Sequence, residues 1–177
     1  MSNPLHYRSI GTCMTAQRRS YESGHKPKCL VIVDDTAEWD RAVYYASRWA
    51  MRAGGGVVML RIIETEDQNQ QWLGVADIMR AEALEDANAA FDRASGRASS
   101  IAAITPERVI REGDPTEQMI DVIEKDLDIA MLVLAANPGP EGPGPIISAM
   151  ANAAGTFPIP VVIVPGDLSD EEIDALS

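Results

Sequence analysis

The chain has 177 residues, 46% hydrophobic and 24% charged, a composition that supports one globular domain and excludes collagen-like, low-complexity and fully disordered chains. Its net charge of −12, from 15 basic and 27 acidic residues, opposes binding to nucleic acid and to anionic lipid. No apolar run approaches the roughly 20 residues of a membrane span and no hydrophobic leader follows Met1, which predicts a cytoplasmic protein without membrane or nucleic-acid partners.

Residues 1–27 show no sustained period and read as a flexible arm. Arg8, Arg18, Arg19 and Lys26 against Glu22 give the arm a net charge of +3, so the remainder carries −15. Residues 28–166 follow as one domain. Cys29 to Val33 is a continuous apolar run, as in a strand covered on both faces. Asp34, Asp35 and Thr36 close it, and Asp35 with Glu38 offers a capping pair for the next helix. That helix has an apolar stripe of Trp39, Ala42, Val43, Ala46, Trp49, Ala50 and Ala53, and glycines 54–56 end it.

The pattern then repeats. Val57 to Ile63 is a second strand, and a polar stretch from Glu64 to Gln71 follows. A second helix from about Val75 to Ser95 places Met79, Ala83, Ala87, Ala90, Phe91 and Ala94 on one face. Glu107 to Glu112 is a third strand. Gly113-Asp114-Pro115-Thr116-Glu117 starts a third helix, with Asp114 as N-cap and Pro115 at the first helical position. Ile129 to Ala136 is a fourth strand, a Gly/Pro loop leads to a fourth helix with Ile146, Ile147, Met150, Ala151 and Ala154, and Val161 to Val164 is a fifth strand. Ser169 with Glu172 forms a capping box, stapled by Leu168 and Ile173, so residues 167–177 hold a short final helix.

Strands alternating with helices predict an α/β fold: a doubly wound, five-stranded parallel sheet with helices on both faces, Rossmann-like and of the adenine nucleotide α-hydrolase type. Ligands of such sheets bind at the carboxyl ends of the strands, where the strand order switches. The residues missing from the domain narrow its chemistry. Both histidines, His6 and His25, lie in the arm, and from Lys28 onward Cys29 is the one cysteine. No Ser-His-Asp site and no zinc site of the usual His/Cys type can be built from the domain alone. Lys28 and Lys125 follow no glycine-rich loop, which excludes a Walker P-loop. Cys13 and Cys29 read as free thiols.

Two loops can carry chemistry. Asp34 can hold an adenine or ribose by hydrogen bonds, or, with Asp35, cap the following helix. In the segment from Pro138 to Pro145, Gly139, Gly142 and Gly144 allow close backbone approach to a phosphate, but Pro138, Pro140, Pro143 and Pro145 have no N–H to give and Glu141 adds negative charge. Trp72, in a polar stretch, reads as folding over the sheet edge, and Glu82, Glu85 and Asp86 as a solvated helix face.

The order of these motifs resembles the universal stress protein family over about residues 28–166. The features are the apolar first strand ending in Val33-Asp34, the Gly113-Asp114-Pro115 helix start, a fourth strand ending in a small residue, and the closing Pro158-Ile159-Pro160 before Val161 to Val164. Family members divide into those that bind ATP through a G-x2-G-x9-G-(S/T) loop and those that lack it. Gly139-Pro140-Glu141-Gly142 fits the first half, but Asn152 stands where the next glycine belongs; counting back from Pro158 places Ile147-Ser148 there instead. The resemblance implies an adenine pocket at Asp34 and Ile62, with Leu134 and Ala135 beside the ribose and Ser148 toward the phosphates.

Three functions compete. The first is a non-catalytic, dimeric stress-response protein with an altered or vestigial nucleotide site. The second is an ATP-binding switch with slow hydrolysis, and the third is a small α/β enzyme with another ligand at the same place. The proline loop disfavours the second, and the scarcity of histidine and lysine disfavours the third. The fifth strand is short, apolar and last in the chain, so a homodimer through Val161, Val162, Ile163 and Val164 is expected, as the resemblance also implies.

Overall fold

Strand β1 (Lys28–Ile32) is buried from Cys29 to Ile32 because both its neighbours and both its faces are covered. The computed structural model describes residues 17–64 and 73–177. After β1 come α1 (Trp39–Ala53), β2 (Gly56–Ile63), α2 (Leu73–Ile101), β3 (Glu107–Glu112), α3 (Pro115–Lys125), β4 (Ile129–Ala136), α4 (Pro145–Ala153), β5 (Val161–Pro165) and α5 (Asp170–Leu176). All strand pairs are parallel and the order is β3-β2-β1-β4-β5. The chain therefore builds outward in one direction to β3, returns to the middle at β4, and leaves the β1–β4 boundary as the switch point.

Two apolar layers sandwich the sheet. Val31, Val33 and Met59 face Ala42, Val43, Ala46 and Ala50 of α1, Ala90, Phe91 and Ala94 of α2, and Ile173 of α5. Leu30, Ile32, Leu60, Leu132 and Leu134 face Met119, Val122 and Ile123 of α3 and Ile147 and Met150 of α4. The caps expected at Asp114 and at Ser169–Glu172 are made: Asp114 accepts from the Glu117 amide, and the capping box is complete in both directions. Gly54 ends α1 in the left-handed conformation. Cys29 is a free, buried thiol whose ionisation burial opposes. No described helix is long and apolar enough to cross a membrane.

Three expectations are corrected. First, α2 begins before Val75 and runs to Ile101, and Met79 does not join the core: every described residue from Asp77 to Glu82 is exposed, because this end of the helix lies off the packed layer that starts at Ala87. Second, the part of the arm from residue 17 onward is docked. The Arg18 guanidinium donates to the carbonyls of Ile123 and Asp126, the Arg19 amide donates to Leu127, His25 meets Asp128, and Ser20 is buried. Gly56 donates to the Pro27 carbonyl, and Gly55 packs so closely on that oxygen that a Cβ there would collide with it. Third, Asp35 and Glu38 form no capping pair; their actual roles belong to the site. The remaining sequence readings for residues 1–16, including Cys13, and for Trp72 lie outside the described residues.

Candidate functional site

At the switch point, the ends of β1 and β4 diverge and leave a cavity of about 450 Å³. Ile32 and Leu134 form its apolar floor, Asp34, Thr36, Glu38 and Trp39 one wall, and Asn137 with the loop from Glu141 to Ser148 the other. The volume is in the range of small-molecule pockets, about 300–1,000 Å³.

The β1 side is held by local and cross-strand hydrogen bonds. Asp34 Oδ1 accepts from both the Thr36 amide (3.0 Å) and the Thr36 hydroxyl (2.6 Å), a local turn, so Asp34 is not a cap of α1. Its other oxygen is left for the cavity. Arg61 of β2 reaches across, donating to the Val33 carbonyl (3.1 Å) and to Asp35 (2.5 Å). Asp35 is thereby turned away from the helix start. Glu38 occupies the N-cap position of α1 without a side-chain capping bond. Behind Glu38, Gly166 donates to the Ala136 carbonyl, and a Cβ on Gly166 would fall 2.6 Å from both that oxygen and Glu38 Cγ. Only glycine allows the chain leaving β5 to close against the cavity wall at this point.

The β4 side is a loop that satisfies itself. Asn137 Oδ1 accepts from the Gly139 amide, the Asn137 amide donates to Pro143, and the Gly142 amide donates to Gly139. Gly142 and Gly144 sit at φ +97° and +103°, values that side-chain-bearing residues rarely adopt. With prolines at 138, 140, 143 and 145 contributing no N–H, the amides of Glu141, Gly144, Ile146 and Ile147 are the ones left, among the described residues, for a ligand. Ile146 and Ile147 are in the first turn of α4 and line the cavity. The Ser148 hydroxyl and amide both donate to the Gly144 carbonyl.

The structure brings Asp34, Leu134, Ala135, Gly142, Gly144 and Ser148 together around one cavity. Gly139 is in the same loop but its amide is bound to Asn137, and it does not line the cavity. Ile62 does not line it either: its register partner is Arg111 of β3, and it packs toward the α3/α4 layer. Glu38, Trp39 and Asn137 are lining residues that sequence reading assigned to capping, core and loop. Their signal was positional, since each follows the carboxyl end of a strand flanking the switch point.

The fold and cavity can be compared with known proteins. A model of the universal stress protein family matches residues 27–165. No curated protein matches the chain. Among solved structures, the universal stress protein UspA from Lactobacillus plantarum is similar at TM-score 0.68 and 18% identity, over 78% of this chain and 97% of that one. A universal stress protein solved in complex with cAMP is similar at TM-score 0.58 and 19% identity, over 78% and 96%. One from Archaeoglobus fulgidus solved in complex with dAMP is similar at TM-score 0.52 and 17% identity, over 78% and 97%. With the matched segment spanning every strand and the strand order that such structures share, this chain belongs to the universal stress protein family.

Proposed function

We propose that the chain is a non-catalytic stress-response protein of the cytoplasm, a homodimer, whose nucleotide pocket has lost its grip on polyphosphate. The observation that carries this reading is the loop after β4. It forms a cavity wall at the position where the family holds phosphates, yet four of its residues are prolines and the amides of Asn137, Gly139 and Gly142 are spent on internal bonds, which leaves Glu141, Gly144, Ile146 and Ile147 as donors. Hydrogen bonds to charged groups contribute roughly 1.5–3 kcal/mol each, so losing two weakens binding by roughly two to four powers of ten. The complexes of relatives with cAMP and dAMP support an adenine-type ligand for the pocket. Asp34, with one carboxylate oxygen free, is suited to the base or ribose, and Leu134 and Ala135 to the sugar.

The non-catalytic assignment rests on Ser148. Its hydroxyl donates to the Gly144 carbonyl, and no side-chain base pairs with it among the described residues. The dimer reading rests on β5, an edge strand with Ile163 47% exposed, while α5 packs on α1. Calorimetric titration with magnesium ATP tests the reading. No tight site is expected, and a submicromolar dissociation constant would establish the competing function, an ATP-dependent switch.

A further inference from the structure

We propose that the ligand of the β1–β4 pocket is an unphosphorylated nucleoside, and that each added phosphate weakens binding. The inference rests on the nucleotide-pocket reading above and adds the ligand's charge. Three ionisable side chains line the cavity, Asp34, Glu38 and Glu141, and all are acidic. No lysine, arginine or histidine lines it among the described residues. Arg61 of β2 is committed to Asp35 and to the Val33 carbonyl.

Carboxylates accept hydrogen bonds and never donate them, so this lining selects a ligand rich in donors and free of negative charge. A nucleoside meets both needs, with its exocyclic amine and its ribose hydroxyls as donors. Its 5′-hydroxyl can also accept from the Ile146 and Ile147 amides at the start of α4, which a phosphate would otherwise claim. A phosphate placed there sits in the field of Glu141 with no countercharge among the cavity-lining residues, and two like charges about 6 Å apart repel enough to change affinity between roughly threefold in bulk water and roughly a hundredfold near a protein surface. The apolar floor of Ile32, Leu134 and Ile147 suits a base and is indifferent to charge.

The test is calorimetry on the full chain with adenosine, AMP and magnesium-free ATP, at low and at high salt. The expected order is adenosine tightest, AMP weaker by roughly tenfold, and ATP weaker again. The gap should narrow as salt rises, because the discrimination is electrostatic. Glu141→Gln, in an exposed loop, should reduce the ratio of AMP to adenosine dissociation constants several-fold. AMP binding as tightly as adenosine overturns the ligand class and leaves the pocket reading standing, whereas ATP binding as tightly as adenosine overturns both. No binding by any of the three at millimolar concentration overturns both.

Discussion

Replacing Asp170 by Asn should loosen α5 from the body of the protein. Asp170 is the first residue of that helix, and its carboxylate accepts from Arg41 Nη1 at 2.8 Å and from Arg97 Nη2 at 2.9 Å. The two arginines come from α1 and α2, and both lie against the Tyr44 ring, Arg97 at 4.7 Å from its centre. One carboxylate thus ties three helices together. The Asp170 side chain is 40% exposed, so solvent screens the pairing. Between the 0.2–1 kcal/mol of an exposed pair and the 1.5–3 kcal/mol of charged hydrogen bonds, we take about 1–2 kcal/mol. For a chain of this size that lowers Tm by roughly 3–6 °C. The hydrogen bonds from Arg97 foremost, then from Arg41, hold the Asp170 carboxyl below its ordinary range. A carboxyl whose pKa is lower folded than unfolded stabilises the fold above its unfolded value and loses that contribution as pH falls through the folded one. The Tm gap between wild type and Asp170→Asn should therefore be full near neutral pH and shrink toward about pH 3. Circular dichroism melts measure it. A gap under about 1 °C at neutral pH, or one unchanged in acid, would refute the reasoning.

Two further predictions concern the arm and the edge strand. A chain beginning at residue 28 should melt at least roughly 5 °C below one beginning at residue 17, since it loses the Arg18, Arg19, His25 and Pro27 bonds, several at about 1 kcal/mol each; equal melting temperatures would show that the docked segment adds no stability. Ile163→Lys should yield a folded monomer by light scattering, with the wild type at twice the chain mass of 19.1 kDa; a wild-type mass near 19.1 kDa would remove the dimer.

How much of this was legible depended on the range of the interactions involved. β1 and β4 announced themselves because burial on both faces demands unbroken apolar runs, Cys29 to Val33 and Ile129 to Ala136. The caps at Asp114 and Ser169 were readable because a cap spans three residues. Asp34 was legible as a cavity-lining residue because it follows the carboxyl end of β1. Arg61 was not, since its bonds to Val33 and Asp35 cross from one strand to another and leave no local pattern. Asp35 was misread for the same reason: a local capping rule competed with a long-range guanidinium and lost. The docking of residues 17–27 was invisible because irregular backbone held by arginine-to-carbonyl bonds has no period. Trp39 matched the helical stripe of α1 and does pack on the core, yet it also faces the cavity; periodicity distinguishes inside from outside, not core from cleft.

The loop after β4 joins stability to function in one set of residues. Four prolines among the eight residues from 138 to 145 restrict the unfolded chain and so favour the folded loop. The same prolines offer no N–H to a ligand, and the Asn137 side chain takes the Gly139 amide. A loop that cradles phosphate must leave its donors unpaired when empty; this loop pairs the Asn137, Gly139 and Gly142 amides internally. The charge of the lining points the same way by a separate route. Had only the donors been lost, a surviving lysine or arginine could still attract phosphate, and had only the charge changed, free amides could still bind it. Here Asp34, Glu38 and Glu141 line the cavity while the amides of Asn137, Gly139 and Gly142 are occupied. Restoring either one alone should therefore recover little ATP affinity, and restoring both should recover more than the sum of the two.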